Sequence, residues 1–337
     1  MSSNKNRDDM KNNPDYEYLY TLKAIQNKPV FILGLHRSGT SILYTMLTAI
    51  GSFNPVTAYH LINYNELLTN HFQKKEQQAK KELTTSFKTQ NLNDRGIDRL
   101  SLTANFAEEY GFLLGQQTIL MKLNNKNFLL FNELMQKIQL ISENTNPILL
   151  KNPFDFPNFL YIKKMIPQAK FIFIHRHPFN ILSSTMNAIQ FLLKEKNSYT
   201  AALSPLYIKL YKNPISLFFV RCCFLTFSAF GMILLTLSTR SALRSYSKNI
   251  FRLSKEDYVA VTYEDLCKNP EKTMMYLMNF LNIIPKQSVD FCSMVKPRMP
   301  PLEKNVRQFH KFIYWCLKPY FIAFGYRQIS PEKNNNE

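Results

Sequence analysis

The stretch VFILGLHRSGTSILYTML, residues 30–47, predicts a buried strand, a glycine turn and a helix in immediate succession. Gly34 and Gly39 have the spacing of a nucleoside-triphosphatase phosphate loop. Thr40, however, stands where such a loop has its lysine, and the nearest cation is Arg37 within the turn. Backbone N–H groups and the positive end of the helix dipole still favour an anion at this position. The sequence therefore predicts an anion site without the loop lysine that a triphosphate needs.

Other segments repeat the strand–loop–helix pattern. Strands are predicted at 29–34, 147–151, 170–175 and 257–266, the last running into a loop, and helical spacing follows. Strands that alternate with helices indicate a parallel sheet with helices on both faces. We therefore expect an α/β fold, a three-layer P-loop-like domain with a central parallel sheet flanked by helices.

Composition suggests how the chain is organised. We expect a polar N-terminal tail over 1–27, a single domain over 28–327 and a disordered tail over 328–337. Within the domain, 191–256 is predicted to be a basic and apolar helical insertion, because it carries ten Lys and Arg against two Glu and no Asp. Its uncharged part, 222–239, has three interpretations: a buried helix, a helix on a membrane surface, and a membrane span near the minimum length of ~20 residues.

Charge and cysteine content restrict the partners and the compartment. A formal net charge of +18 favours an anionic partner, namely a nucleotide, an acidic membrane surface or an anionic substrate. Charge alone also raises nucleic-acid binding, but no known motif accompanies it, so we expect none. The five cysteines are odd in number and lack metal-binding spacing, which favours a reducing compartment. Because no apolar signal segment is visible, we expect a cytoplasmic protein that can associate peripherally with membranes.

A second cationic element follows the strand predicted at 170–175, in KFIFIHRHPFNILSS. Arg176 stands at the carboxyl end of that strand, where open α/β sheets bind ligands, and Pro178 opens the next helix. Ser184 lies eight residues after Arg176. Both residues reach one phosphate only if a nucleotide lies along this helix.

Together these motifs resemble the sulfotransferases that use 3′-phosphoadenosine 5′-phosphosulfate (PAPS). FILGLHRSGTSILYTML is similar to the family's 5′-phosphosulfate loop, and IFIHRHPFNILSS is similar to its 3′-phosphate motif. YVAVTYEDLCKNPEKTMMYLMNFLNI resembles its strand, Tyr-Glu-Asp-Leu turn and helix. FGYRQ resembles the end of the domain in the branch with bacterial and tyrosylprotein-type enzymes. The motifs occur in the family's order, and the resemblance covers about residues 28–327.

The resemblance implies in-line transfer of a sulfuryl group from PAPS to a hydroxyl or amine acceptor, with no metal required. The implied PAPS-binding residues are Arg37, Ser38, Gly39, Thr40, Ser41, Arg176 and Ser184. Charge builds on the leaving phosphate oxygen, so cations placed there lower the barrier. Arg37 is the first candidate for that role, and Lys151, at a predicted strand end, is the second.

The general base is not defined by the resemblance, because Pro153 and Asp155 stand where some branches have a histidine. Candidates for it are His60, Asp155 and Glu66. Glu108 and Glu109 are interpreted as a solvated helix face, with contact to the acceptor as the alternative. We interpret Glu264 and Asp265 as residues that fix the turn after the fourth predicted strand.

Two other functions stay open at this point. A P-loop nucleotide kinase or triphosphatase would need the missing lysine and an acidic Mg²⁺ site. A catalytically degenerate member would bind PAPS or a membrane without turnover. The basic and apolar segment 191–256 suggests an acceptor that is anionic, lipid-linked or presented at a membrane surface.

Overall fold

The computed structural model describes residues 13–90, 92, 102–116, 121–295 and 301–326. A five-stranded sheet lies at its centre, wholly parallel and in the order β2-β3-β1-β4-β5. The strands are β1 (Val30–Leu33), β2 (Asn54–Pro55), β3 (Ile148–Lys151), β4 (Lys170–His175) and β5 (Tyr258–Thr262).

Helices connect the strands and lie on both faces of the sheet. The α-helices before β4 are α1 (Thr40–Ala49), α2 (Ala58–Ile62), α3 (Leu67–Phe72), α4 (Glu76–Thr89), α5 (Gly111–Leu114), α6 (Phe128–Ile141) and α7 (Phe159–Met165). Those after β4 are α8 (Pro178–Lys194), α9 (Ser198–Leu203), α10 (Pro205–Lys212), α11 (Pro214–Arg221), α12 (Ser228–Asn249), α13 (Tyr263–Lys268), α14 (Pro270–Leu281), α15 (Phe291–Met294), α16 (Lys304–Gln308) and α17 (His310–Ala323). Tighter 3₁₀ turns form at Pro14–Ala24, Tyr64–Glu66, Pro153–Asn158 and Ile250–Arg252, and a π-helical turn forms at Cys222–Thr226.

The central strands are buried on both faces, because successive side chains of a strand point to opposite sides. Phe31 and Leu33 of β1 enter a core closed by α6, α8, α12 and α17, whereas Val30 and Ile32 enter a core closed by α1 and α14. This double burial explains why β1 is a continuous apolar run. The predicted three-layer α/β fold is confirmed.

Four of the five strands agree with the sequence prediction, and β2 was missed. Asn54–Pro55 is only two residues long and has no apolar alternation, so its pairing with β3 leaves no local signal. The predicted loop after β5 is also wrong, since α13 begins at Tyr263 directly after the strand. Thr262 caps this helix, because its Oγ1 accepts a hydrogen bond from the backbone N–H of Asp265 at 3.0 Å.

The predicted polar tail over 1–27 is wrong from Asn13 onward. Asp15 is fully buried, with Oδ2 2.9 Å from the Nζ of Lys137 and Oδ1 accepting the backbone N–H of Thr69 at 2.8 Å. Leu22 is buried in the main core. The prediction failed because the partner of the polar Asp15 lies far away along the chain. Residues 1–12 and the tail predicted at 328–337 lie outside the described residues.

Most of the segment 191–256 forms helices, and its uncharged part, 222–239, is buried only in part. Buried positions within 222–239 are Gly231, Met232, Thr236 and Thr239. Across the described residues, no individual helix is both long and apolar enough to cross a membrane. Pro214–Thr226 and Ser228–Arg252 satisfy that test of length and composition only as a pair, and they are bent by 94° relative to each other.

Candidate active site

The turn between β1 and α1 requires both of its glycines. A Cβ on Gly34 would lie 2.5 Å from the Oγ of Ser38 and 2.6 Å from the carbonyl oxygen of Ile174. Gly39 has φ +102°, and a Cβ there would lie 2.4 Å from the ring of Tyr263. Only glycine therefore lets the turn pass this close to β4 and to the segment after β5.

Arg37 joins the two cationic elements that the sequence singled out. Its Nε donates to the Oγ of Ser184 at 2.9 Å, and its carbonyl oxygen accepts a hydrogen bond from Nη1 of Arg176 at 2.9 Å. Arg37 has φ +68°, a left-handed conformation that costs a non-glycine residue roughly 1–3 kcal/mol and often marks a functional site. The loop and α8 therefore lie in direct contact, and Ser184 reaches the loop although it lies two turns into a helix.

Lys151 brings a third cation to the same site. It is the last residue of β3 and is almost fully buried, with Nζ 3.1 Å from the Oγ of Ser41 in the first turn of α1. The same Nζ lies 3.3 Å from Oε1 of Glu109. The carboxyl ends of β1, β3 and β4 thus converge on the start of α1, as expected for an open α/β sheet.

The segment after β5 adds further contacts to this arrangement. The guanidinium of Arg176 stacks on the ring of Tyr263 at 4.3 Å from its centroid. Oε1 of Glu264 accepts the backbone N–H of His177 at 3.0 Å, and Oε2 accepts the hydroxyl of Tyr326 at 3.2 Å. Glu264 therefore links α13 to the start of α8 and to the C-terminal segment, and Asp265 binds Thr262 at the cap of α13, where the sequence had suggested a turn.

Two buried donors at the site fit an anionic ligand. The Oγ of Ser38 and the Nε of Arg176 are buried and have no hydrogen-bond partner among the described residues. Buried donors normally have a partner, so each such group calls for an explanation. In addition, the N-cap residue of α1 is Gly39, which has no side chain to cap the helix. Phosphate oxygens would satisfy these groups.

The sequence model of the sulfotransferase family matches residues 29–216, which is more than half of the 337 residues. The chain belongs to the sulfotransferase family. It is a sulfotransferase, an enzyme that transfers a sulfuryl group. No curated protein matches the sequence significantly.

Solved structures of other sulfotransferases share the fold. Sulfotransferase STF9 from Mycobacterium avium has a TM-score of 0.62 at 13% identity, over 95% of this chain and 85% of that chain. Sulfotransferase STF1 from Mycobacterium tuberculosis has a TM-score of 0.54 at 13% identity, over 84% of this chain and 74% of that chain. At this identity the likeness shows the fold alone.

The base candidates chosen from the sequence of this sulfotransferase have other partners. Asp155 is fully buried and accepts hydrogen bonds from Tyr110, Leu123, Asn152 and Asn158. Burial raises the pKa of its carboxyl group. These four donors give Asp155 a structural role, which is to join the start of α7 to the segment before α6.

His60 has a local structural role, and Glu66 lies at the surface. Nδ1 of His60 accepts the backbone N–H of Thr57 at 3.2 Å, which closes a capping box at the start of α2. Burial, with Lys80 nearby, lowers the pKa of His60 to about 3. Glu66 is exposed and borders a surface groove beside α4.

The interpretation of Glu108 and Glu109 as a solvated helix face is wrong. Glu108 is fully buried, and its Oε1 accepts the hydroxyl of Tyr199 at 2.9 Å. Glu109 is nearly buried beside Lys151. The segment is not helical at this point, and residue 107 instead forms a bridge with Thr57. The only local indication that these acids are buried was their position in the apolar stretch NFAEEYGFLL.

His36, within the loop itself, was not considered from the sequence. Its ring packs edge-on against Phe154, with centroids 4.5 Å apart. Burial lowers the pKa of His36; nearby Glu109 raises it, and Arg37 and Lys151 lower it further. A neutral imidazole therefore lies near the charged groups of Glu109, Arg37 and Lys151.

Proposed function

We propose that this sulfotransferase takes its sulfuryl group from PAPS and transfers it to a hydroxyl or amine acceptor. The observation that carries the proposal is the contact between the two cationic elements, from Arg37 to Ser184 and from Arg176 to Arg37. A donor with two separate anionic groups needs two such elements, whereas a single phosphate needs only one.

The residues of the loop and of α8 have the chemistry to hold such a donor. The backbone of the first turn of α1 and the hydroxyls of Ser38, Thr40 and Ser41 would hold the 5′-phosphosulfate. Arg176 and Ser184 would hold the 3′-phosphate, where an arginine offers a forked set of donors. The bound donor supplies the sulfuryl group, and the protein supplies position and charge.

Arg37 and Lys151 would stabilise the charge that develops on the leaving phosphate oxygen. Lys151 lies beside Ser41 at the start of α1, and Arg37 lies within the loop. In a buried site such cations are worth more than in water, because the surroundings screen them less. Since these cations supply the charge, we propose that the transfer needs no metal ion.

We propose that Glu109 accepts the proton of the acceptor. Its carboxylate lies 3.3 Å from the ammonium of Lys151, so a proton acceptor and a charge stabiliser stand side by side. A general base must be within hydrogen-bond reach of the reacting hydroxyl, and Glu109 meets that requirement for an acceptor bound next to Lys151.

We further propose that the acceptor is anionic or lipid-linked and is presented to the site at a membrane. The proposal rests on the insertion 191–256, which begins in the last turn of α8 and carries ten basic residues against two acidic ones. Good turnover of neutral, water-soluble alcohols without any binding to anionic vesicles would contradict it.

The donor site is tested by thermal stabilisation of the full chain. A ligand that binds only the folded state stabilises it, by about 2.7 kcal/mol at one hundred times its Kd. Adenosine 3′,5′-bisphosphate, the desulfated product, should raise the Tm in the presence of EDTA, whereas ADP should have a much smaller effect. Arg176→Ala should abolish the shift.

Arg307→Ala is the matched control, because Arg307 is exposed on α16, and it should leave the shift unchanged. A shift with ATP and Mg²⁺ but none with the bisphosphate would overturn the assignment of the donor. A bisphosphate shift that disappears in EDTA would overturn the metal-free proposal.

A further inference from the structure

The apolar sides of α11 and of the start of α12 are uncovered. Ile215, Phe218 and Phe219 lie at i, i+3 and i+4, on one side of α11, and are 69%, 64% and 63% exposed. α11 has no buried residue at all. Phe227 and Phe230, where α12 begins, are 65% and 51% exposed. We call these five residues the apolar edge.

Such an edge needs a partner. Single exposed apolar residues are ordinary, but rows of them on adjoining helices mark interaction sites. Leu234 and Leu237 continue the row along α12 and are also exposed. The segments Pro214–Thr226 and Ser228–Arg252 are bent by 94° relative to each other at Phe227, so the apolar edge follows both sides of a sharp corner.

The charges around the apolar edge indicate which partner it meets. Between Glu195 and Glu256 the chain has no acidic residue. Lys209 and Lys212, on the helix before α11, are exposed, and so is Arg240, just after Leu237. A second copy of this chain would bring the same positive charges face to face, which disfavours self-association. An anionic surface with an apolar interior matches both properties.

We propose that the apolar edge and its basic border form a docking surface for an anionic phospholipid bilayer. The aromatic side chains would enter the interface, and the lysines would contact the headgroups. The proposal deepens the proposed presentation of the acceptor at a membrane and rests on it, but it uses none of the donor-site residues.

The docking surface is attached to the element that carries the donor site. Nε2 of Gln190, on α8, donates to the carbonyl oxygen of Phe224 at 3.2 Å, and Nε of Arg221 donates to that of Leu193 at 2.8 Å. Ser184 lies on the same helix. Docking would therefore hold the active site close to a lipid-linked acceptor.

Vesicle sedimentation of the purified full chain tests the surface. The probes are vesicles of phosphatidylcholine alone and of phosphatidylcholine mixed with phosphatidylglycerol, at low and high salt. We expect binding to the mixed vesicles only, weakened by salt. Phe218→Ser with Phe219→Ser should reduce this binding about tenfold or more, because the interface then receives less apolar surface.

Leu129→Ser with Ile284→Ser is the matched control, since both side chains are exposed and lie outside the apolar edge. It should bind as the wild type does. Every variant is also tested for bisphosphate stabilisation, which reports folding and the donor site independently of the membrane. A second edge variant, Phe227→Ser, serves if the first does not fold.

Three results would overturn the proposal while leaving the donor site intact. These are a wild type that ignores anionic vesicles, an edge variant that binds like the wild type, and an oligomer that the edge variant converts to a monomer. The last would show that the apolar edge is an interface between copies of this chain.

Discussion

The carboxyl end of the sheet buries a charged side chain, whereas the insertion 191–256 exposes apolar ones. At the sheet, Lys151 is 1% exposed between Ser41 and Glu109. In the insertion, Phe218 and Phe219 face solvent. A buried polar group and an exposed apolar row are both informative departures from ordinary burial. The first indicates a ligand that brings charge, and the second a partner that brings apolar surface.

Among the changes predicted for these two regions, neutralising Glu109 should have the largest effect on activity. Glu109→Gln keeps the size of the side chain but removes the proposed proton acceptor, so kcat should fall by about 10²–10⁴-fold. Bisphosphate stabilisation should persist, because the donor-binding residues are unchanged. The measurement is turnover with PAPS, alongside the Tm shift.

Glu108→Gln is the control for this variant. Glu108 is equally acidic, adjacent and buried, but it accepts the hydroxyl of Tyr199 rather than pairing with Lys151. It should retain most of the turnover. Equal losses in the two variants would mean that the effect is structural and that Glu109 is not the base.

Breaking the buried ion pair at the N-terminal segment should cost about 3 kcal/mol of unfolding free energy. Asp15→Ala leaves the ammonium of Lys137 buried with Glu133 as its remaining carboxylate partner at 2.9 Å. Glu17→Ala, an exposed acid on the same segment, should change the stability by less than about 0.5 kcal/mol. Urea unfolding of both variants measures the difference, and equal midpoints would show that residues 13–24 do not stabilise the domain.

Lowering the pH from 7 to 5 should reduce the free energy of unfolding by about 2 kcal/mol for each buried, neutral histidine. Burial lowers the pKa of His175 to about 3 and lowers the pKa of His60 to about 3 as well. The unfolded chain binds a proton on each near pH 6.5, whereas the folded protein does not. The contribution of these two histidines to stability is therefore fully present above pH 6.5 and is lost as the pH falls.

His175→Phe should reduce the slope of this pH dependence. The ring contacts of His175 with Tyr246 and Phe324 can be kept, while the titrating group and its hydrogen bond to Tyr320 are removed. Chemical unfolding at a series of pH values measures the slope. An unchanged slope would mean that His175 does not contribute to the acid sensitivity.

Local patterns predicted most of the fold and singled out the loop and the cationic residues of the proposed donor site. β1, β3, β4 and β5 were visible because buried parallel strands are continuous apolar runs, and Gly34 and Gly39 marked the turn between β1 and α1. Arg176 was singled out because it stands at the carboxyl end of a parallel strand, where open α/β sheets bind ligands. Lys151 was singled out by the resemblance to the sulfotransferase family. β2 could not be predicted, since a strand of two residues is too short to show an alternation of apolar and polar side chains.

The proposed base and the apolar edge could not be assigned in the same way. Glu109 is set against Lys151 by the bridge between Thr57 and residue 107, a contact between segments far apart in sequence. The exposure of Phe218 depends on α11 having no buried residue, which an apolar sequence does not predict. Apolar composition predicts a tendency to be covered, but it does not say by what.

By itself the sequence determined the parallel sheet, the glycine turn after β1 and the family, because strand period, glycine spacing and cation position are local properties. Only the tertiary structure decided the rest. It set Arg37 against Ser184, turned Glu109 towards Lys151 and left the apolar edge in solvent. These outcomes depend on contacts between distant segments, and the free energy of such contacts is not encoded in any short stretch of the chain.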